Sequence, residues 1–117
     1  GQFGRMLVIG GSKFYSGAPA YSSLTGINFG IDLVITYTPQ VIADVLRTYS
    51  PNMIVRSNPG DWLTMDAFEE ITPLVDWANA ILIGPGLGEQ KETEELLIKL
   101  LKAHLYDYYN FLQLPVF

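Results

Sequence analysis

Asn79-Ala80-Ile81-Leu82-Ile83-Gly84-Pro85-Gly86-Leu87-Gly88 is the stretch that decides the fold. Ala80 to Ile83 is a short apolar run that predicts a buried strand, and the glycine-punctuated loop behind it leads into a long amphipathic helix. Strand, glycine loop, helix is the order in which open α/β sheets build a ligand crevice. Taken alone, Gly84, Gly86 and Gly88 have two readings. They form either a tight connection that needs glycine for its geometry, or half of a site where backbone must approach a ligand closely.

Upstream, Met6-Leu7-Val8-Ile9 is a second continuous apolar run, closed by Gly10-Gly11-Ser12, which predicts a strand buried on both faces and hence a parallel sheet. Pro19 suits the first turn of a helix, Ala20, Leu24 and Ile27 share one face of it, and Gly30 stops it in a left-handed C-cap. Asp32 to Thr36 is the next strand. Thr38-Pro39 predicts a helix start, with the threonine hydroxyl as cap, and Val41 or Ile42, Val45, Leu46 and Tyr49 follow at helical spacing. Ser50-Pro51 ends that helix before the strand Met53-Ile54-Val55, and Asn58-Pro59-Gly60-Asp61 is a turn. Asp66 and Glu69 have capping-box spacing ahead of the helical face Phe68, Ile71 and Val75, which Pro73 is expected to break near Thr72.

Downstream, Lys91 to Leu112 is the longest predicted helix, with Leu97, Leu101, Leu105, Tyr108 and Leu112 in one stripe beside Leu96 and Leu100. Pro115-Val116-Phe117 begins a fifth strand. The sum is an α/β chain, a parallel sheet with helices on both faces, in which Gly10 to Ala18 and Gly84 to Gly88 share the C-terminal rim.

Composition narrows the function classes. A chain of 117 residues makes one domain with a real core, and 49% apolar against 16% charged residues is the balance of a compact fold. The formal charge of −5 and scattered basic residues argue against a nucleic-acid surface. The absence of cysteine excludes a thiolate metal site and a cysteine nucleophile. No apolar run has the length of a membrane span, so a cytoplasmic protein is the expectation.

Neither glycine loop carries conventional phosphate chemistry. Gly17 is followed by Ala18 and Pro19 where a Walker A motif needs Lys and Ser or Thr, and neither loop has dinucleotide-fingerprint spacing. What remains is a pair of N–H-rich loops beside helix starts, which favours an anionic ligand, with Gly11, Ser12, Gly17 and Ala18 in one and Gly84, Gly86 and Gly88 in the other. His104 stands without a second histidine and reads as a packing or surface residue. Glu92, Glu94 and Glu95 offset a helix dipole, and Tyr106, Tyr108, Tyr109 and Phe111 pack against a sheet or a second subunit. No metal set, catalytic triad or carboxylate pair can be assembled.

Read together, Gly4 to Ser12, Tyr15-Ser16-Gly17-Ala18-Pro19, Gly30 to Val34, Ser50-Pro51 and Ile83 to Gly88 give the chain a resemblance to one family. It resembles the N-terminal part of the ADP/ATP-dependent NAD(P)H-hydrate dehydratases, the ribokinase-like YjeF C-terminal domain. The resemblance implies a three-layer ribokinase-like fold and conversion of hydrated NADH or NADPH to the intact cofactor. It implies ADP or ATP with Mg²⁺ as cofactors and, commonly, a homo-oligomer. Ala18 and Gly86 are the implied substrate contacts, with Gly84 and Gly88 as neighbours. The family's aspartate-ended fifth strand, nucleotide-binding lysine loop and G-T-G-D segment have no counterpart before Phe117. Residues 1–117 are therefore expected to be an excerpt of one domain more than twice as long, truncated after the fifth strand begins, inactive alone, and with apolar surface exposed around its last strand and helix. Two alternatives accompany this reading: a non-catalytic α/β module for another phosphorylated ligand, and a ribokinase-like small-molecule kinase. Asn79, where the family often has aspartate, and the segment Thr25 to Phe29 depart from the family pattern.

Overall fold

The computed structural model describes residues 4–104. They form β1 (Arg5–Ile9), α1 (Gly17–Asn28), β2 (Leu33–Pro39), α2 (Gln40–Arg47), β3 (Ile54–Asn58), a 3-10 turn (Met65–Ala67), α3 (Phe68–Trp77), β4 (Ala80–Ile83) and α4 (Lys91–His104). The strands pair in parallel in the order β3-β2-β1-β4, and the register sets Leu7 against Ile35 on one side and Ile81 on the other. Asn79 fixes the start of β4: its N–H donates to the Arg5 carbonyl at 2.8 Å and its Oδ1 accepts from the Arg5 N–H at 2.9 Å.

The central strand is apolar from Met6 to Ile9 because both of its faces are covered. Leu7 and Ile9 pack with Tyr37 against Ile71, Leu74, Leu96, Leu97 and Leu100 of α3 and α4. On the opposite face Ala20, Ile42, Ala43 and Leu46 of α1 and α2 pack with Met53 and Val55. Each wholly buried leucine contributes about 2 kcal/mol relative to exposure. Two polar side chains share the α1 layer at no loss, since Ser23 Oγ and Thr36 Oγ1 hydrogen-bond each other at 2.6 Å. This is the three-layer α/β arrangement expected from the run of strands and helices.

Helix α1 ends as its sequence predicts. Gly30 adopts φ +90°, its N–H bonds the Ile27 carbonyl at 3.1 Å, and the Ile31 N–H bonds the Gly26 carbonyl at 3.1 Å, the paired closure that a left-handed residue permits.

Four local expectations are corrected. Thr38 is no helix cap: β2 continues to Pro39 because Thr38 and Pro39 still pair with Ser57 and Asn58, so Pro39 takes the N-cap position and makes no side-chain cap bond. The Asp66–Glu69 capping box does not form, since the 3-10 turn Met65–Ala67 feeds α3 directly and places Ala67 at the N-cap. Pro73 does not break α3, because it lies on the exposed side of the helix, as does Glu69, whose carbonyl it leaves without a helical partner and open to water. On α2 Ile42 and Leu46 are buried as the spacing predicts, with Ala43 beside them, whereas Val41, Val45 and, past the helix end, Tyr49 are exposed. Leu105 to Leu112 of the predicted last helix, its aromatic cluster and the strand Pro115-Val116-Phe117 lie outside the described residues.

Beside β4, which stands at one end of the described sheet, apolar surface is open. Leu82 is 42% exposed, so β4 is not the buried strand that its apolar run predicts, and a groove of about 550 Å³ runs between it, Tyr21 of α1 and Phe29 just past the end of that helix. Among the described residues no helix is long and apolar enough to cross a membrane.

Candidate functional site

The strand order creates the site. From β1 the chain moves outward through β2 to β3, then returns to place β4 on the other flank of β1, so the loops after β1 and β4 meet where the direction reverses. They do more than meet. The Gly11 N–H donates to the Pro85 carbonyl at 2.8 Å and Ser12 Oγ donates to the Gly86 carbonyl at 2.8 Å. A Cβ on Gly10 would overlap the Pro85 carbonyl, and one on Gly86 would lie 2.9 Å from the Tyr15 carbonyl while Gly86 itself sits at φ +75°. Glycine is required at both positions, at the first for space and at the second for space and backbone angle.

Above this junction lies an open cleft of about 490 Å³ lined by Gly84, Gly86, Leu87, Gly88, Glu89 and Gln90 from the second loop and by Phe14, Tyr15 and Trp62 facing them. Leu87 is the loop's anchor, wholly buried in the α3–α4 core. Trp62 enters from the turn after β3. Asn58 Nδ2 donates to the carbonyls of Pro59 at 2.8 Å and Trp62 at 3.3 Å, which folds that turn back toward the rim. The Lys13 N–H bonds the Asp61 carbonyl at 2.9 Å and ties the same turn to the first loop. The Lys13–Asp61 ion pair above it, at 3.7 Å with both side chains about half exposed, adds little. Phe14 meets Trp62 edge to face, centroids 6.0 Å apart and planes at 65°.

The sequence-predicted residues divide into three groups. Gly84, Gly86 and Gly88 line the cleft. Ser12 and Gly11 are buried beneath it, Ser12 holding Gly86 from below and Gly11 packed toward Thr38, Ile42 and Pro19. Gly17 and Ala18 are exposed at the start of α1, outside the cleft lining, and Pro19 joins them to it by approaching Gly86. The loops are less rich in free N–H groups than the sequence suggests, because Gly10, Gly11, Lys13, Tyr15, Gly84 and Leu87 donate theirs to backbone carbonyls.

The sequence does not single out Phe14, Trp62, Glu89 and Gln90, and it marks Tyr15 only as part of the Tyr15-Ser16-Gly17-Ala18-Pro19 stretch. Trp62 was within reach of one signal: a residue just past a parallel strand lies on the same rim as every other strand end. Phe14 and Tyr15, 70% and 54% exposed, are large rings left in water beside a well-packed core.

The electrostatics of the two helix starts differ. Helix α1 has no acidic residue in its first turn and its N-cap, Ser16, makes no side-chain cap bond, whereas α4 carries Glu92 and Glu94 there, just after Glu89. Deeper in the sheet, Tyr37 donates its hydroxyl to Glu70 at 3.2 Å; burial first, then the neighbouring carboxylate, pushes its phenol well above the ordinary range. Among the described residues no three His, Cys, Asp or Glu side chains converge on a point where a metal ion could be held.

A family model described as NAD(P)H-hydrate dehydratase matches residues 6–105. A bifunctional NAD(P)H-hydrate repair enzyme of Archaeoglobus fulgidus is 39% identical over 103 residues, which is 88% of this chain and 22% of that protein. An ATP-dependent (S)-NAD(P)H-hydrate dehydratase of Schizosaccharomyces pombe is 36% identical over 110 residues, 87% of this chain and 33% of its own length. Among solved structures, a ribokinase-like superfamily protein of Enterococcus faecalis superposes with a TM-score of 0.74 at 31% identity, covering 87% of this chain and 34% of the other. The chain thus spans between a fifth and a third of the length of these relatives.

Proposed function

Since the chain belongs to the NAD(P)H-hydrate dehydratase family, we propose that its two interlocked rim loops are part of the hydrated-cofactor site of an enzyme that returns hydrated NADH or NADPH to NADH or NADPH. The observation that carries this is the Ser12–Gly86 hydrogen bond at 2.8 Å, which locks the two family loops into one floor under an open cleft. In this reading Gly84, Gly86 and Gly88 present backbone to the ligand, Ser12 and Gly11 hold that backbone in place, and Gly17 and Ala18 offer the free N–H groups of the α1 start.

The reaction transfers a phosphoryl group from ATP or ADP to the ring hydroxyl. The C–O bond then breaks, inorganic phosphate leaves with the electron pair, and a proton lost from the adjacent carbon restores the ring double bond. The relatives' names specify ATP for several of them; ATP or ADP with Mg²⁺ is the donor we propose here. The described residues offer no set of carboxylates for that cation, so no step is assigned to it through this part of the fold. The site residues described do binding and positioning.

Turnover by the full-length protein, followed as the return of reduced-nicotinamide absorbance from hydrated NADH with ATP or ADP and Mg²⁺, tests the reading. Turnover with at least one nucleotide is expected, and none with either would overturn it. The 117-residue chain alone is expected to bind hydrated NADH without turnover. Product formation by it would place the catalytic groups within these residues.

A further inference from the structure

The side of the cleft that carries Trp62 is neither helix nor strand. Residues 59–64 run as a strap from the end of β3 to the 3-10 turn, yet each of the six carbonyls in it accepts a hydrogen bond. Asn58 Nδ2 holds those of Pro59 and Trp62. The Val41 N–H holds Gly60 at 3.2 Å, the Lys13 N–H holds Asp61 at 2.9 Å and the Ala67 N–H holds Thr64 at 3.0 Å. Thr93 Oγ1 donates to the Leu63 carbonyl at 2.6 Å. Irregular segments are ordinarily the variable part of a fold. Anchors this dense fix one shape in advance, which suits a wall that a ligand must meet without reordering it.

The anchors are not equivalent. Those from Val41, Lys13 and Ala67 are main chain, and Asn58 directly precedes the strap, whereas Thr93 reaches it from the first turn of α4, thirty residues away. A threonine inside a helix commonly turns its hydroxyl back on a carbonyl of its own preceding turn. Thr93, wholly buried, gives its hydrogen to Leu63 instead. Leu63 and Leu87 already pack in the α3–α4 core, so the strap is held down without this bond. What the bond adds is a link across the cleft, because α4 begins directly after Gln90 and the Glu94 N–H ties back to the Gln90 carbonyl at 3.1 Å. The two sides stand close: a Cβ on Gly88 would lie 3.3 Å from Trp62 Cζ3.

Resting on the dehydratase reading above, we propose that Thr93 is a positioning residue for the hydrated cofactor. Through the Leu63 carbonyl it sets the spacing between the Trp62 strap and the glycine backbone of the second loop, and with it the width into which the ligand fits.

Binding of hydrated NADH to the 117-residue chain, measured by calorimetry well below the unfolding midpoint, tests this. Thr93→Val keeps the shape and removes the donor, and is expected to weaken binding about tenfold, while Thr93→Ser, which keeps the hydroxyl, is expected to stay within about twofold of the unsubstituted chain. Ser23→Ala is the control, since it breaks an equally short buried bond, to Thr36 Oγ1 at 2.6 Å, in the α1 layer. It should lower the urea midpoint and leave affinity unchanged. Indole emission in a Trp77→Phe background, where Trp62 is the single tryptophan, is the second readout. Thr93→Val is expected to move it to longer wavelength in the free chain, and Thr93→Ser and Ser23→Ala are not. Should Thr93→Val not fold, Thr93→Cys, with a weak donor of similar size, carries the same comparison with an expected loss of several-fold. Unchanged affinity in the folded Val or Cys variant, or an equal loss in Ser23→Ala, overturns the proposal and leaves the dehydratase reading standing. Failure of the unsubstituted chain to bind hydrated NADH overturns both.

Discussion

The connection from β1 to α1 and the connection from β4 to α4 look alike in sequence, each a glycine-rich loop between a buried strand and a helix, yet they are built for different work. The first begins in the interior, where Gly11 and Ser12 are buried, then brings Phe14 and Tyr15 out to the cleft and ends at a helix start with neither a side-chain cap nor an acidic residue in the first turn. The second is surface: Gly84, Gly86 and Gly88 line the cleft, and its helix opens with Glu92 and Glu94 after Glu89. One supports and keeps a positive helix end unopposed. The other presents backbone and has already neutralised its helix end with carboxylates. Glycine content alone does not distinguish a floor from a wall; the charge at the start of the next helix does.

The contact between the loops offers the sharpest break. Gly10→Ala would drive a methyl group into the Pro85 carbonyl, where backbone rather than a movable side chain is in the way, and with it strain the Gly11–Pro85 hydrogen bond. A loss of about 3 kcal/mol is expected by urea denaturation. Gly86→Ala is next. It forces an L-residue to φ +75° and brings its Cβ within 2.9 Å of the Tyr15 carbonyl, for an expected loss of about 2 kcal/mol. If the second loop is the presenting wall, Gly86→Ala should also weaken hydrated NADH binding more than its stability change alone would. Equal stability loss with unchanged affinity, measured well below the unfolding midpoint, would remove Gly86 from the site.

Ser12→Ala is a smaller test of the supporting role. The Gly86 carbonyl loses its 2.8 Å donor in a part-buried setting, an expected cost of about 1 kcal/mol. Because Ser12 does not line the cleft, its effect on ligand should come through Gly86. Gly86→Ala and Ser12→Ala together are then expected to be less than additive in a double-mutant cycle, and strict additivity would show that the serine does not position the glycine.

How legible each feature is in the sequence depends on the kind of signal it leaves there. β1 shows itself because burial on both faces demands an apolar run, and Ala80 to Ile83 is bounded in the structure as in the sequence although Leu82 stands 42% exposed. Gly30 is legible because a left-handed stop has few other solutions. Thr38 misleads because Thr-Pro is a helix-start signal locally, while the pairing of Thr38 with Ser57 that keeps it in β2 is a contact between distant residues. Pro73 misleads for a related reason: whether a proline breaks a helix depends on whether the orphaned carbonyl can reach water. The cleft's glycines are found by their spacing, but Trp62 and Phe14 are not, since a ring in a loop carries no periodicity and only the parallel sheet brings the ends of β1, β3 and β4 to one rim.

The difference between the helix starts can be inverted with one charge. Ala18→Glu places a carboxylate in the first turn of α1, at an exposed position with no acid nearby in that turn, and is expected to stabilise the fold by about 0.5 kcal/mol at low salt. Glu92→Gln removes one of the carboxylates of α4 and is expected to cost about 0.3 kcal/mol. Both effects should shrink as salt is raised, because exposed charges are screened within roughly 10 Å at 0.1 M. Ligand binding should move the other way at α1. If Ala18 lies against the anionic part of the hydrated dinucleotide, the stabilised Ala18→Glu chain binds it less well, while Glu92→Gln leaves affinity unchanged or slightly improved. A helix end left without its stabilising charge is a cost the fold bears, and a variant that recovers this stability while losing ligand would show what the uncapped start of α1 is for. Unchanged affinity in Ala18→Glu would mean that the two helix starts differ in stability alone.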